Sequence, residues 1–152
     1  MTSFRPTLAV AAIIWGGVLA GFNGQVKAGA APQDAGKTLK LSDGLFSAAQ
    51  AQRGQALYGQ VCSQCHLADL SGSDQAPSLA GGDFLDRWDG QSVGDLVDRV
   101  RTSMPADNVG SLNTQTATDI VVYLFQANKL PAGAEELKAD RPMLKTIIIK
   151  KP

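Results

Sequence analysis

The chain has 152 residues, room for one small domain, and its 14 basic and 14 acidic side chains cancel to a formal net charge of zero. Such a balance argues against nucleic acid as a partner, since a phosphate backbone demands a concentrated basic surface. Two cysteines and a single histidine are also too few for a disulfide framework or a closed tetrahedral zinc site.

Arg5 precedes a charge-free apolar and glycine run, Leu8–Phe22, and Ala28-Gly29-Ala30 then supplies an A-x-A cleavage pattern. These are the three regions of an export signal. The run is shorter than the ~20 residues a membrane-spanning helix needs. Residues 1–30 are therefore predicted to be a cleaved signal peptide, with an uncleaved anchor as the alternative. No cysteine lies there to carry a lipid. Residues 31–44, polar with scattered glycine, read as a flexible lead-in.

Ser47-Ala-Ala-Gln50 spells a capping box, in which serine and glutamine reciprocally satisfy free amides of a first helical turn. The helix it opens runs through Ala51, Ala56, Leu57 and Tyr58 to Cys62-Ser63-Gln64-Cys65-His66. That C-x-x-C-H pentapeptide holds both cysteines and the only histidine, and it is the attachment signature of a c-type haem. Two thiols add across the vinyl groups, and the adjacent imidazole becomes an axial ligand to iron. A thioredoxin-like reading of the C-x-x-C would want a strand–helix setting that the flanking sequence lacks. Ala68–Gly82, rich in glycine, serine and aspartate, reads as loop, followed by a short helical stretch around Asp83–Trp88.

Ser92-Val-Gly-Asp95 is a second N-terminal cap, opening a helix with Leu96, Val97 and Val100 on one side. A loop from Ser103 to Leu112 holds Met104, Pro105 and Gly110. The next helix begins near Asn113 or Thr114. It presents Ile120, Tyr123, Leu124 and Ala127 at i, i+3, i+4 and i+7, an apolar stripe facing a core, and Lys129 and Pro131 mark its end. The tail, Leu144–Pro152, favours extended structure through three consecutive isoleucines. No repeat is present and nothing else looks like a strand. The predicted class is all-α.

One histidine rules out ligation of the iron by two imidazoles. Of the three methionines, Met1 precedes the export signal, and Met143 lies in the tail, where a thioether more often fills gaps. Met104 sits in a proline-bounded loop between two helices, placed to fold over the other haem face. His66 and Met104 are the predicted iron ligands. A thioether raises the reduction potential. With both axial positions filled, no site stays open for substrate or dioxygen.

On these residues the chain resembles the class I c-type cytochromes. More narrowly, it is similar to the small single-haem cytochromes, or fused cytochrome domains, that serve bacterial quinoprotein alcohol dehydrogenases. The likeness runs from about Leu45 to Asn128 and takes in Gly54-x-x-x-Tyr58, Cys62-x-x-Cys65-His66, Pro77-x-Leu79-x-Gly81, Met104-Pro105 and Asp119-Ile120-Val-Val-Tyr123-Leu124. It implies a cytochrome c fold, with N- and C-terminal helices crossing around haem c held covalently through Cys62 and Cys65. Gly54 would let those helices approach closely, with Tyr58 near Ile120 and Tyr123. The Pro77 carbonyl would accept a hydrogen bond from the free ring nitrogen of His66, and Leu79 would lie at the haem. The resemblance also implies attachment of haem after export, hence a periplasmic protein. Residues 45–130 form the cytochrome domain on this reading, and 131–152 a C-terminal extension outside the family pattern.

Trp88 either donates its indole N–H to a haem propionate or fills core. Arg87, Arg99 and Arg101 either pair the propionates or are solvated helix arginines. Lys145, Lys150 and Lys151 read as a solvated tail, with steering of an acidic partner as the alternative. Asp69, Asp74 and Asp83 lack calcium-loop spacing and read as solvating and capping residues. The expected function is that of a one-electron carrier, not an enzyme, passing electrons between a dehydrogenase and a terminal oxidase or another cytochrome. The alternative is a dedicated cytochrome subunit of a quinoprotein or other periplasmic dehydrogenase, which residues 131–152 suggest. A haem sensor or peroxidase-like enzyme would want a second histidine for acid–base work. Redox proteins are the expected partners, and a membrane is one only if the N-terminal segment stays attached.

Overall fold

The computed structural model describes residues 40–151; the export signal and most of the lead-in expected from the sequence lie outside the described residues. Within them the class is all-α. Six helices occur: α1 (Ala48–Val61), α2 (Ser63–His66), α3 (Gly82–Trp88), α4 (Val93–Ser103), α5 (Thr114–Ala127) and α6 (Arg141–Thr146). Extended pairing among the described residues is confined to isolated bridges.

α1 and α5 form the frame, crossing as the resemblance implies. The crossing point is Gly54, where a Cβ would stand 1.8 Å from the Asp119 carbonyl oxygen. One turn on, the rings of Tyr58 and Tyr123 meet at 5.3 Å between centroids, tilted by 53°. The predicted start of α1 is right, but only half of its capping box forms. Ser47 Oγ accepts from the Gln50 amide at 3.1 Å. The Gln50 side chain instead turns into the core, donating to Asp119 Oδ1 and to the Leu137 carbonyl, both at 2.9 Å, and accepting from the Leu137 amide at 2.8 Å. A buried amide needs partners for both its ends, and these supply them. α4 has the complete box: Ser92 Oγ accepts from the Asp95 amide at 3.0 Å, and Asp95 Oδ2 from the Ser92 amide at 3.1 Å. α5 opens on Asn113, whose Oδ1 accepts from the Thr116 amide at 2.9 Å. Its burial exceeds the predicted stripe, covering Ala117 through Val122 and then Leu124 and Phe125. A helix buried on most of its faces is the centre of a domain.

Two segments depart from the sequence reading. Lys40–Gly44, the expected end of a flexible lead-in, contains a 3-10 turn over Leu41–Asp43 with Leu41 fully buried. The described part of the expected extension 131–152, residues 131–151, completes the core through Leu137, Leu144, Ile147 and Ile149, none more than 2% exposed. The expected extended tail is found only from Ile147 onward, where Ile148 bridges Lys40 and Ser92. Before it comes α6, capped by Asp140, whose carboxylate accepts from the Met143 amide at 2.8 Å, with proline in the first turn.

α6 packs on α4 at Gly94, where a Cβ would lie 2.9 Å from the Lys145 amide nitrogen. The tail then bonds the α3–α4 connection: the Gly90 amide donates to the Ile149 carbonyl, the Ile149 amide to the Gln91 carbonyl and the Val93 amide to the Ile147 carbonyl, each at 2.9 Å. Nor are the tail lysines simply solvated. Lys145 pairs with Asp95 at 2.7 Å and Asp98 at 2.9 Å, Lys150 with Asp89 at 3.6 Å, and Lys151 with Asp86.

Candidate functional site

α1 passes into the single turn of α2 with little break, since the Cys62 amide still donates to the Tyr58 carbonyl at 2.9 Å and the His66 amide to the Cys62 carbonyl at 3.0 Å. Helical spacing puts Cys62, Cys65 and His66 at i, i+3 and i+4, on one face. The chain leaves through Leu67 at φ 62°, a left-handed conformation uncommon for leucine. Donors cover the carbonyls that this abrupt end exposes. Tyr58 Oη donates to Leu67 O at 2.7 Å, the Gly72 amide to His66 O at 3.1 Å, and Ser73 Oγ to Cys65 O at 3.0 Å. Burial pushes the Tyr58 phenol up, which keeps it a donor.

His66 is buried, and its Nδ1 lies 2.8 Å from the Pro77 carbonyl oxygen. A carbonyl can only accept, so Nδ1 bears a proton, and in the neutral ring this leaves the lone pair on Nε2. Pro77 is backed by Gly72, at φ 76°, where a Cβ would fall 2.5 Å from the Ser78 nitrogen and 2.6 Å from the Pro77 carbonyl carbon. Only glycine permits that approach.

These residues open onto a cleft of about 970 Å³, walled largely by apolar side chains from α1, α3, α4 and α5. All the predicted site residues line it: Cys62, Cys65, His66, Pro77, Leu79, Trp88 and Met104. Met143 does not; it packs half-buried against the core. Trp88 does both, lining the cleft and packing on the core. Of the arginines, Arg87 and Arg99 line the cleft, while Arg101 does not, and its buried Nε has no partner among the described residues. Asp69 has the capping role expected of it, accepting from Ser71 N at 3.0 Å and Ser71 Oγ at 2.7 Å. Val61 and Phe84 are cleft walls that the sequence reading passed over. For Phe84 a signal existed: it stands four residues before Trp88, on the same face of α3.

The cleft suits a haem. Its size is that of a small-molecule or cofactor site, and its apolar walls match a porphyrin. Both cysteines are free, and burial, with Cys65 alongside, pushes the Cys62 thiol up to about 11. The donor set of two thiols, an imidazole with a fixed tautomer and a thioether from another segment is what haem c attachment and ligation would use.

The family model described as Cytochrome C oxidase, cbb3-type, subunit III matches residues 49–124, half of the chain. No curated protein matches it. Among solved structures, the chain is similar to one from the sulfane dehydrogenase SoxCD of Paracoccus pantotrophus, with 24% identity and a TM-score of 0.46 over 75% of this chain. It spans 61% of that structure's chain. The family carries covalently bound haem c, and Cys62 and Cys65 have the spacing that attachment requires. A match that reaches from the first turn of α1, through the pentapeptide, to the helix crossing behind it makes this chain a member of that c-type cytochrome family, an electron-transfer protein.

Proposed function

We propose that this cytochrome is a periplasmic one-electron carrier whose iron is held by His66 and Met104. The observation that supports it most directly is that Met104, from the loop after α4, lines the same cleft as Cys62, Cys65 and His66. Haem c supplies a one-electron ferric/ferrous couple when bound. The chain's own residues then have distinct tasks. Cys62 and Cys65 would anchor the group by their sulfurs. His66 would hold the iron through Nε2, and its Nδ1–H bond to Pro77 fixes the ring and would strengthen it as a donor. Met104 offers a soft sulfur that favours the ferrous state. Leu79, Phe84, Ile120 and Leu124 exclude water, and Arg87 and Arg99 suit the carboxylates of the propionates.

With His66 and Met104 both holding the iron, no position on it would stay open to a substrate, which suits a carrier and not a catalyst. Its donor would be a dehydrogenase and its acceptor a terminal oxidase or another cytochrome. Export through residues 1–30 fits this reading, and no helix among the described residues is long and apolar enough to cross a membrane. The rival reading, a subunit dedicated to one dehydrogenase, drew on residues 131–152. Leu137, Leu144, Ile147 and Ile149 of that segment are buried in the core, which gives it a role inside the domain.

Absorption spectra of the oxidised wild type and Met104→Ala test the ligation. The far-red charge-transfer band of the iron–sulfur bond should vanish in the variant. The potential should fall by a fraction of the roughly 0.8 V range that axial ligands span. A band that survives the substitution would overturn the assignment of Met104. Rapid carbon monoxide binding by the reduced wild type would count against a carrier.

A further inference from the structure

We propose that Asn128, the residue closing α5, is a positioning residue for the His66 imidazole, acting through the 77–81 loop; this rests on His66 as the iron's ligand. Asn128 is 4% exposed, although a polar residue at a helix end ordinarily faces water. Every polar group of its side chain is used. Nδ2 donates to the Leu79 carbonyl at 2.9 Å and to the Leu124 carbonyl at 2.8 Å, and Oδ1 accepts from the Gly81 amide at 2.9 Å. One neutral amide thus joins the last turn of α5 to a loop some fifty residues upstream.

That loop carries the Pro77 carbonyl, and it is held from three directions. Gly72 stands against Pro77 and Ser78 from behind. The Leu79 amide and Ser78 Oγ both reach the Leu70 carbonyl, at 2.9 and 3.1 Å. Asn128 fixes the far end, at Leu79 and Gly81. With Pro77 two residues from Leu79, slack at that end moves the acceptor of the His66 Nδ1–H. Hydrogen bonds weaken steeply as angle and distance depart from their optimum. A weaker bond makes the imidazole a poorer donor and tips the couple toward ferrous iron.

The test compares wild type, Asn128→Leu and Gly72→Ala, the last disturbing the same loop from the opposite side. Leu144→Ala serves as a control that lowers stability without touching the loop. The readouts, on the haem-loaded protein, are the exchange rate of the His66 Nδ1 proton by NMR and the reduction potential. Both loop variants should exchange roughly three- to tenfold faster, below the roughly 10–100-fold effects of removing an outer hydrogen-bond partner of a ligand. The ferrous-to-ferric ratio at a fixed applied potential should rise by a similar factor, and Leu144→Ala should leave both readouts unmoved. An unchanged proton exchange and potential in Asn128→Leu, with only the melting temperature lowered, overturns the proposal. If the His66 ring of the oxidised wild type shows no large paramagnetic shift, the ligand assignment itself fails, and the proposal with it.

Discussion

At Gly54 there is no room for a methyl group. A Cβ there would meet the Asp119 carbonyl oxygen at 1.8 Å and its carbon at 2.5 Å, and these are backbone atoms of a helix that cannot swing aside. Gly54→Ala must push α1 from α5 and loosen the contact between Tyr58 and Tyr123. Overpacking typically costs about 1–3 kcal/mol, and the ~1 kcal/mol that alanine gains in helix propensity offsets only part of a backbone clash at the upper end. Denaturant unfolding should show a net loss of about 2 kcal/mol. Gly59 lies on the same helix with nothing within 4 Å of its Cβ position. Gly59→Ala should be neutral or stabilising by up to ~1 kcal/mol. A sequence contains both glycines alike; only the approach of α5 separates them.

Among the elements, the stretch after α5 most changes the picture of the domain. Read as a solvated extension, it would tolerate substitution within about 0.5 kcal/mol. Ile149 is instead fully buried, and its backbone bonds the α3–α4 connection on both sides. Ile149→Ala should cost about 2–5 kcal/mol, as in other buried large-to-small changes. The measured midpoint of denaturant unfolding decides between the two readings. α6 escaped detection because six residues are too few for a helical period to declare itself. Its local signals, Asp140 and the following Pro142, were present, but short cap motifs gain meaning only with a periodic stretch behind them. α4 and α5 were legible because both have cap residues and repeating apolar positions.

Over the whole molecule the charges balance, yet their arrangement is not random. Lysines of the C-terminal segment face aspartates of α3 and α4, and two of those aspartates, Asp95 and Asp98, line the cleft. Hydrogen bonds from Lys145 and Ser92 hold the Asp95 carboxyl down at about 2. A carboxyl depressed in the folded state contributes stability above its unfolded value, about 3.9, and loses it as pH falls through the folded value. Wild type should therefore be more stable than Lys145→Met at neutral pH, with the gap closing between about pH 4 and 2. The gap should be modest and shrink with added salt, because the pair is exposed. Melting temperatures of the two proteins across that range check both statements.

The sequence by itself determined the helical class, the helix starts at Ser47, Ser92 and Asn113, and the cofactor. These are local matters: a cap spans one turn, and C-x-x-C-H places two thiols and an imidazole on one helical face whatever surrounds them. It named three methionines, and the cleft admits Met104 while leaving Met143 in the packing. Only the tertiary structure decided that Gln50 leaves its cap for Asp119 and Leu137. It also decided that the isoleucine tail closes the core and that Asn128 grips the loop of Pro77. Each of those depends on a partner more than forty residues away, and burial is a property of neighbours that no local pattern encodes.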